Sequence, residues 1–206
     1  MLGDVYLTLW LLITAFVSTS ETLGNKTGST KTNCPNDVDS IKKLFDPKRY
    51  DKEMRPCENG EPVVVKVSIY IVSINNIKES DMELDIQVYF RQSWRDPRLA
   101  FDGLNLTEKE YVSFSPDFIS NKMWLPDAYF DNEKEGKLHS IMRNNQFLRL
   151  YRDGSIFFST RMTLTLSCPM EFYNFPMDHQ NCELFIMSYS HTTNEFLYKW
   201  KTNRSE

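Results

Sequence analysis

Residues 62–91, PVVVKVSIYIVSINNIKESDMELDIQVYFR, decide the fold. Val63, Val65, Val67, Ile69 and Ile71 alternate with Val64, Lys66, Ser68, Tyr70 and Val72, the period of two that lays one face of a strand on a core. The polar segment 75–81 predicts a turn, after which Met82, Leu84, Ile86, Val88 and Phe90 alternate with Glu83, Asp85, Gln87, Tyr89 and Arg91. Two such runs joined by a polar turn predict a β-hairpin.

Further strands are expected at 147–151, at 155–166 after the Arg-Asp-Gly turn at 152–154, and at 183–190. Upstream, Asp39 or Ser40 can cap a short helix over Ile41–Phe45 that Pro47 stops. With no heptad pattern, long helix or internal repeat, the sequence predicts an all-β fold, an antiparallel β-sandwich of about eight to ten strands with a short N-terminal helix. An immunoglobulin domain fits poorly. Its inter-sheet cystine joins strands far apart in sequence, whereas Cys168 and Cys182 enclose only thirteen residues.

The chain has 206 residues, of which 41% are hydrophobic and 14% aromatic, with seven glycines. That is enough apolar material for one globular domain and too much for a disordered or collagen-like chain. A net charge of -4 and no run of five or more Lys and Arg argue against nucleic acid or an anionic membrane surface as partner. The apolar run Val5–Val17, followed by Ser18, Thr19 and Ser20, reads as a secretory signal peptide over 1–20, although Asp4 stands where a basic residue is usual. Its thirteen residues are too few to cross roughly 30 Å of hydrocarbon as a helix. Residues 21–36, rich in Gly, Ser and Thr, read as a flexible lead-in, which leaves 37–206 for the domain. Sequons at Asn25, Asn105 and Asn203 agree with export.

Four cysteines in an exported chain predict two disulfides. Three pairings are open, and local closure, Cys34 with Cys57 and Cys168 with Cys182, costs the least loop entropy. No Cys-x-x-Cys spacing supports a zinc site, and no HExxH, GxSxG or glycine-rich phosphate loop supports an enzyme. No metal or cofactor is expected.

The segment CPMEFYNFPMDHQNC, Cys168 to Cys182 with Phe175, Pro176, Met177 and Asp178 at its centre, resembles the signature loop of the Cys-loop, or pentameric ligand-gated, ion channels. YFRQSWRDPRLAF from Tyr89, WLPDAYFDNEKEGKLH from Trp124 and SYSHTTNEFLYKW from Ser188 resemble further segments of that family in the same order. The resemblance spans about residues 38–201. Asn132-Glu133-Lys134 with His139, and Cys-Pro-Met at 168, are more similar to the anion-selective glutamate, glycine and GABA receptors than to the nicotinic branch, with the glutamate-gated chloride channels most similar.

The resemblance implies an extracellular ligand-binding domain that takes an amino-acid transmitter between neighbouring subunits of a pentamer. It implies a carboxylate-binding role for Arg91 and a hydroxyl on the same complementary face at Ser159. On the principal face it implies ligand contacts from Tyr129, Ser188 and Tyr189, with His191 departing from the Tyr common there. It gives the disulfide loop, with an X-Pro bond at Phe175-Pro176 that can be cis, and the hairpin turn near Lys78 and Glu79 the task of conveying binding to a gate. Against the family pattern the domain is expected to be incomplete at its C-terminus, with membrane contact only through a region beyond Glu206. The implied location is the extracellular side of a postsynaptic plasma membrane. A secreted soluble transmitter-binding protein and a ligand-free secreted β-sandwich are the alternatives.

Overall fold

The hairpin read from residues 62–91 forms two long antiparallel strands, β1 (Val63–Lys78) and β2 (Glu83–Arg95). They occur in a computed structural model that describes residues 43–56, 60–102 and 110–201. The leader, the lead-in, Cys34, Cys57 and the three sequon asparagines lie outside the described residues. Of the expected N-terminal helix, Lys43, Leu44 and Phe45 are described; the first two are helical and Phe45 lies in a turn.

Val63, Val65 and Val67 of one strand of the hairpin and Ile86, Val88, Phe90 and Trp94 of the other are buried on its core-facing side. The alternation does not persist down β1. Register shifts between Ile71 and Ser73 and between Ile74 and Asn76 reset the faces. Ile71 and Ile74 stand opposite the buried Val88 and Ile86, yet Ile71, expected to be buried, is 54% exposed, and Ile74 and Ile77 are exposed with it. The turn is also tighter than the polar segment 75–81 predicted, because β1 continues to Lys78 and the chain reverses through Glu79–Met82.

The remaining strands are β3 (Tyr111–Phe114), β4 (Ala128–Phe130), β5 (Glu133–Leu138), β6 (Gln146–Tyr151), β7 (Ser155–Ser167), β8 (Ile186–Ser188) and β9 (Phe196–Trp200). One large sheet has the order β3-β6-β7-β2-β1-β9, with β5 pairing the part of β7 beyond β6. The β4 and β8 strands form a second, two-stranded sheet. Every pair is antiparallel except β1 and β9, which run parallel. The strand expected over 183–190 is confined to Ile186–Ser188.

Edge-to-face rings close the sandwich. Phe90 of β2 meets Phe130 of β4 at 5.2 Å, and Trp94 meets Trp124 at 6.0 Å, on a core that also holds Leu148, Leu150, Ile156 and Leu164. Helix α1 (Pro116–Lys122) begins where the Ser115 hydroxyl accepts from the Phe118 amide and Pro116 occupies the first turn.

The segment 43–50 is tied down through Tyr50. Its hydroxyl accepts from the Trp124 amide at 2.8 Å, and its ring carries the Arg98 guanidinium at 4.6 Å. Burial pushes the Tyr50 phenol up to about 12. Arg98 in turn forks onto the buried carboxylate of Asp96 at 2.9 and 2.8 Å. Gly154, in the turn between β6 and β7, sits at φ 82, and a Cβ there would meet the Asp96 carbonyl at 2.6 Å.

Candidate functional site

Direct register partners across a sheet share a face, so the ladder places side chains in rows. Arg91 of β2 stands opposite Ser68 of β1 and Ser159 of β7, and Ser159 stands opposite Phe147 of β6. All four lie on the face turned away from the core, since Phe90, Gln92, Phe158 and Leu148 of the same strands are buried. Arg91 is half-buried, with its guanidinium carbon 5.7 Å from the centre of the Tyr70 ring. Ser159 belongs to the same face but retains only 4% of its exposure.

The flanking rows are cationic and aromatic. On one side stand Tyr70, Tyr89 and Arg161, and on the other Lys66, Ser93, Phe157 and Arg149. Arg161 donates to the Gln87 amide oxygen at 3.1 Å, and Arg149 lies over Tyr111 and Phe147 at 4.9 and 5.3 Å. None of these three rows contains a carboxylate, so the positive field around Arg91 is not cancelled locally. Beside Arg161, His139 Nε2 lies 2.8 Å from the Thr163 hydroxyl, and desolvation together with Arg161 and Lys137 lowers its pKa. Sequence reading missed Arg149 and Arg161. Their parity with Ser159 and Phe147 carries that information only once the strand pairing is known.

A second group lies on the small sheet. Tyr129 of β4 stands opposite Met187 of β8, its hydroxyl donates to the Met187 sulfur at 3.4 Å, and its ring meets that of Tyr189 edge-on at 6.0 Å. Tyr189 is 86% exposed. The organiser is Asp127, just before β4, which was not singled out from sequence although it sits in the quoted WLPDAYF segment. Its carboxylate accepts from the Ser188 hydroxyl at 2.7 Å, the Ser190 amide at 2.7 Å and the Ser190 hydroxyl at 2.6 Å. Partial burial pushes the Asp127 pKa up, but the hydrogen bonds from Ser190 and Ser188 outweigh it and hold the group below the usual carboxylate range. The Ser188 hydroxyl is thereby committed, since it also accepts from the His191 amide at 3.2 Å. His191 stacks on Phe196 at 5.7 Å. Among the described residues, no hydrogen bond or ring contact joins Arg91 and Ser159 to Tyr129, Ser188 and Tyr189.

The third group is the loop closed by Cys168 and Cys182, which are disulfide-bonded with Cα atoms 5.0 Å apart. The Phe175-Pro176 bond is cis, and Phe175 and Met177 are 72% and 83% exposed at the tip. Asp178 accepts from the Gln180 amide, which also bridges to the Glu171 backbone in both directions at 2.9 and 3.0 Å. Both legs of the loop are held by Asn132. Its amide donates to the Ser167 carbonyl at 3.1 Å and the Glu183 carbonyl at 2.9 Å. The Cys168 amide donates to the Met82 carbonyl, which fastens the loop to the β1–β2 turn. That turn, which contains Glu79, is braced by Lys78 and Lys134, both paired to Glu83 at 3.2 and 3.0 Å. Hydrogen bonds from Lys134 and Lys78 hold Glu83 below its ordinary range, and the bond to Glu83 raises Lys78.

Among the described residues no group of three or more His, Cys, Asp or Glu side chains is arranged to hold a metal ion, and no helix is long and apolar enough to cross a membrane. The profile of the neurotransmitter-gated ion-channel ligand binding domain matches residues 38–206. The chain is 40% identical over 172 residues to gamma-aminobutyric acid receptor subunit beta-4 of Gallus gallus, covering 82% of this chain and 34% of that protein. It is 39% identical over 155 residues to the gamma-aminobutyric acid receptor alpha-like protein of Drosophila melanogaster, covering 75% and 22%. It is 38% identical over 156 residues to the glutamate-gated chloride channel of Drosophila melanogaster, covering 74% and 33%. The match thus spans about a third of these curated relatives' length or less.

Proposed function

The chain belongs to the neurotransmitter-gated ion-channel ligand-binding domain family, and we propose that it is the extracellular agonist-binding part of a chloride-channel subunit. On this reading an amino-acid transmitter binds between neighbouring subunits of a pentamer at the outer side of a plasma membrane. The observation that carries the reading is Arg91 opposite Ser159, on a sheet face whose adjoining rows bring cations and rings but no acid. A guanidinium forks two N–H bonds onto a carboxylate, and a neighbouring hydroxyl can supply a third. Tyr129 and Tyr189 offer the opposite chemistry. Exposed ring faces attract an ammonium, by about 2 kcal/mol when desolvated. On this reading the two groups come from neighbouring subunits, and the amino acid lies between one subunit's large sheet and the next subunit's small sheet. The disulfide loop and the β1–β2 turn, joined by the Cys168 amide, then form the unit that passes binding on to a gate.

The test is electrophysiological. The domain is joined to the channel-forming region of the Drosophila glutamate-gated chloride channel, and agonist-gated current is recorded with glutamate, glycine and GABA. Current to at least one of them, weakened by Arg91→Ala, is the expected result. Surface-expressed channels silent to all three would overturn the reading.

A further inference from the structure

The face that carries Arg91 has a second feature, a groove beside the Arg91 row. Two residues along each strand from the Arg91 row lies a groove of about 430 Å³, whose lining includes Lys66, Ser93, Arg95, Arg149, Phe157 and Lys201. Lys66 stands opposite Ser93, Ser93 opposite Phe157 and Phe157 opposite Arg149, so these four side chains project on one side of the sheet. Lys66 and Arg149 begin three strand spacings apart, roughly 14 Å, and both side chains are long enough to lean inward over the Ser93–Phe157 floor.

No carboxylate lines this groove. Among the described residues Lys66, Arg149 and Lys201 form no ion pair. Arg149 is held by π faces instead, over the Tyr111 and Phe147 rings. The acid of the adjoining turn, Asp153, is occupied locally, accepting from the Ser155 amide at 2.9 Å and the Ser155 hydroxyl at 2.7 Å. A protein with a net charge of -4 has therefore gathered uncompensated cations at the two ends of one concave, part-aromatic floor. Their mutual repulsion falls when an anion bridges them, and the bridge is strongest where the groove shields it from salt. The apolar Phe157 between the ends favours a ligand with an apolar body over a bare inorganic ion.

We propose that this groove binds a small organic dianion, one acidic group held by Lys66 and Lys201, the other by Arg149, and its apolar body lying on Phe157. Carboxylate, sulfonate and phosphonate share the required chemistry. The groove shares its sheet face with the proposed agonist site, and a test on the chain alone, with Arg91→Ala beside Arg149→Gln, keeps the two readings distinguishable.

The purified chain is titrated calorimetrically with a biphenyl bearing a sulfonate at each para end, with the mono-sulfonate and with inorganic sulfate. Dicarboxylate and diphosphonate analogues of the same body identify the preferred acid. Saturable one-to-one binding is expected, with the dianion about tenfold tighter than the mono-anion because each charge-assisted contact adds separately. Lys66→Gln and Arg149→Gln should each weaken it about three- to tenfold, while Lys122→Gln, an equal charge removed from α1, should change it less than about twofold. A dianion that binds no tighter than the mono-anion would overturn the proposal, as would indifference to both Lys66→Gln and Arg149→Gln. Loss of binding in Arg91→Ala larger than in Arg149→Gln would do the same, since it would move the ligand to the Arg91 row.

Discussion

Arg91 and Ser159 are direct register partners across β2 and β7, so a guanidinium and a hydroxyl 68 residues apart in sequence stand side by side on one face of the sheet. The guanidinium carbon lies 5.7 Å from the centre of the Tyr70 ring, and among the described residues Arg91 forms no ion pair.

In channels carrying this domain, Arg91→Ala should raise the half-activating agonist concentration more than about tenfold, since a lost charge-assisted fork costs about 1.5–3 kcal/mol. Arg91→Lys should recover only part of that, because a point charge cannot fork. An unshifted dose-response curve in Arg91→Ala removes Arg91 from the agonist site.

Asp127→Asn should loosen the Ser188–Ser190 segment and with it the Tyr129–Tyr189 pair. The Asp127 pKa is held below its ordinary value, so its stabilising contribution is complete above about pH 4 and is lost as pH falls through the lowered value. Acid unfolding of the chain, followed by tyrosine and tryptophan fluorescence, should therefore lose part of its steepness in the variant below pH 4. Superimposable acid transitions in the two proteins would count against this account.

Asn132→Ala strips the side-chain bonds to Ser167, Glu183 and Phe185 at once. Each orphaned backbone group costs about 1–3 kcal/mol when buried and less here, where the Glu183 and Phe185 contacts are exposed, so a total loss of about 1–3 kcal/mol is expected. Amide exchange at Phe185 should quicken in the variant, and unchanged protection there would contradict the clamp.

Peptide mapping without reduction should recover Cys168 joined to Cys182 and Cys34 joined to Cys57. Replacing Cys168 and Cys182 by Ser should cost about 3 kcal/mol by loop entropy. A Cys57–Cys168 peptide would defeat the local pairing.

The strands that alternate cleanly were legible because one face of each is buried along its whole length. Val63–Val67, Ile86–Trp94 and Leu148–Leu150 follow their pattern in the structure. The lower half of β1 was not, because two bulges break the period there, and Ile71, Ile74 and Ile77 stay exposed although they stand opposite Val88, Ile86 and Leu84 across the hairpin. The parallel pairing of β1 with β9 carries no local mark, since strand periodicity is the same whichever way a neighbour runs.

What the sequence determined by itself is the strands of the long hairpin, β6 and β7, together with the disulfide loop and the family. Those follow from local periodicity, from the spacing of two cysteines and from short motifs, all of which lie within a few dozen residues. Which cations share a face with Arg91, that Asp127 rather than a tyrosine holds the Ser188–Ser190 segment, and that Asn132 grips both legs of the loop were decided by the tertiary structure. These are relations between strands, and a strand's own sequence carries no record of its partner's register until the two are hydrogen-bonded.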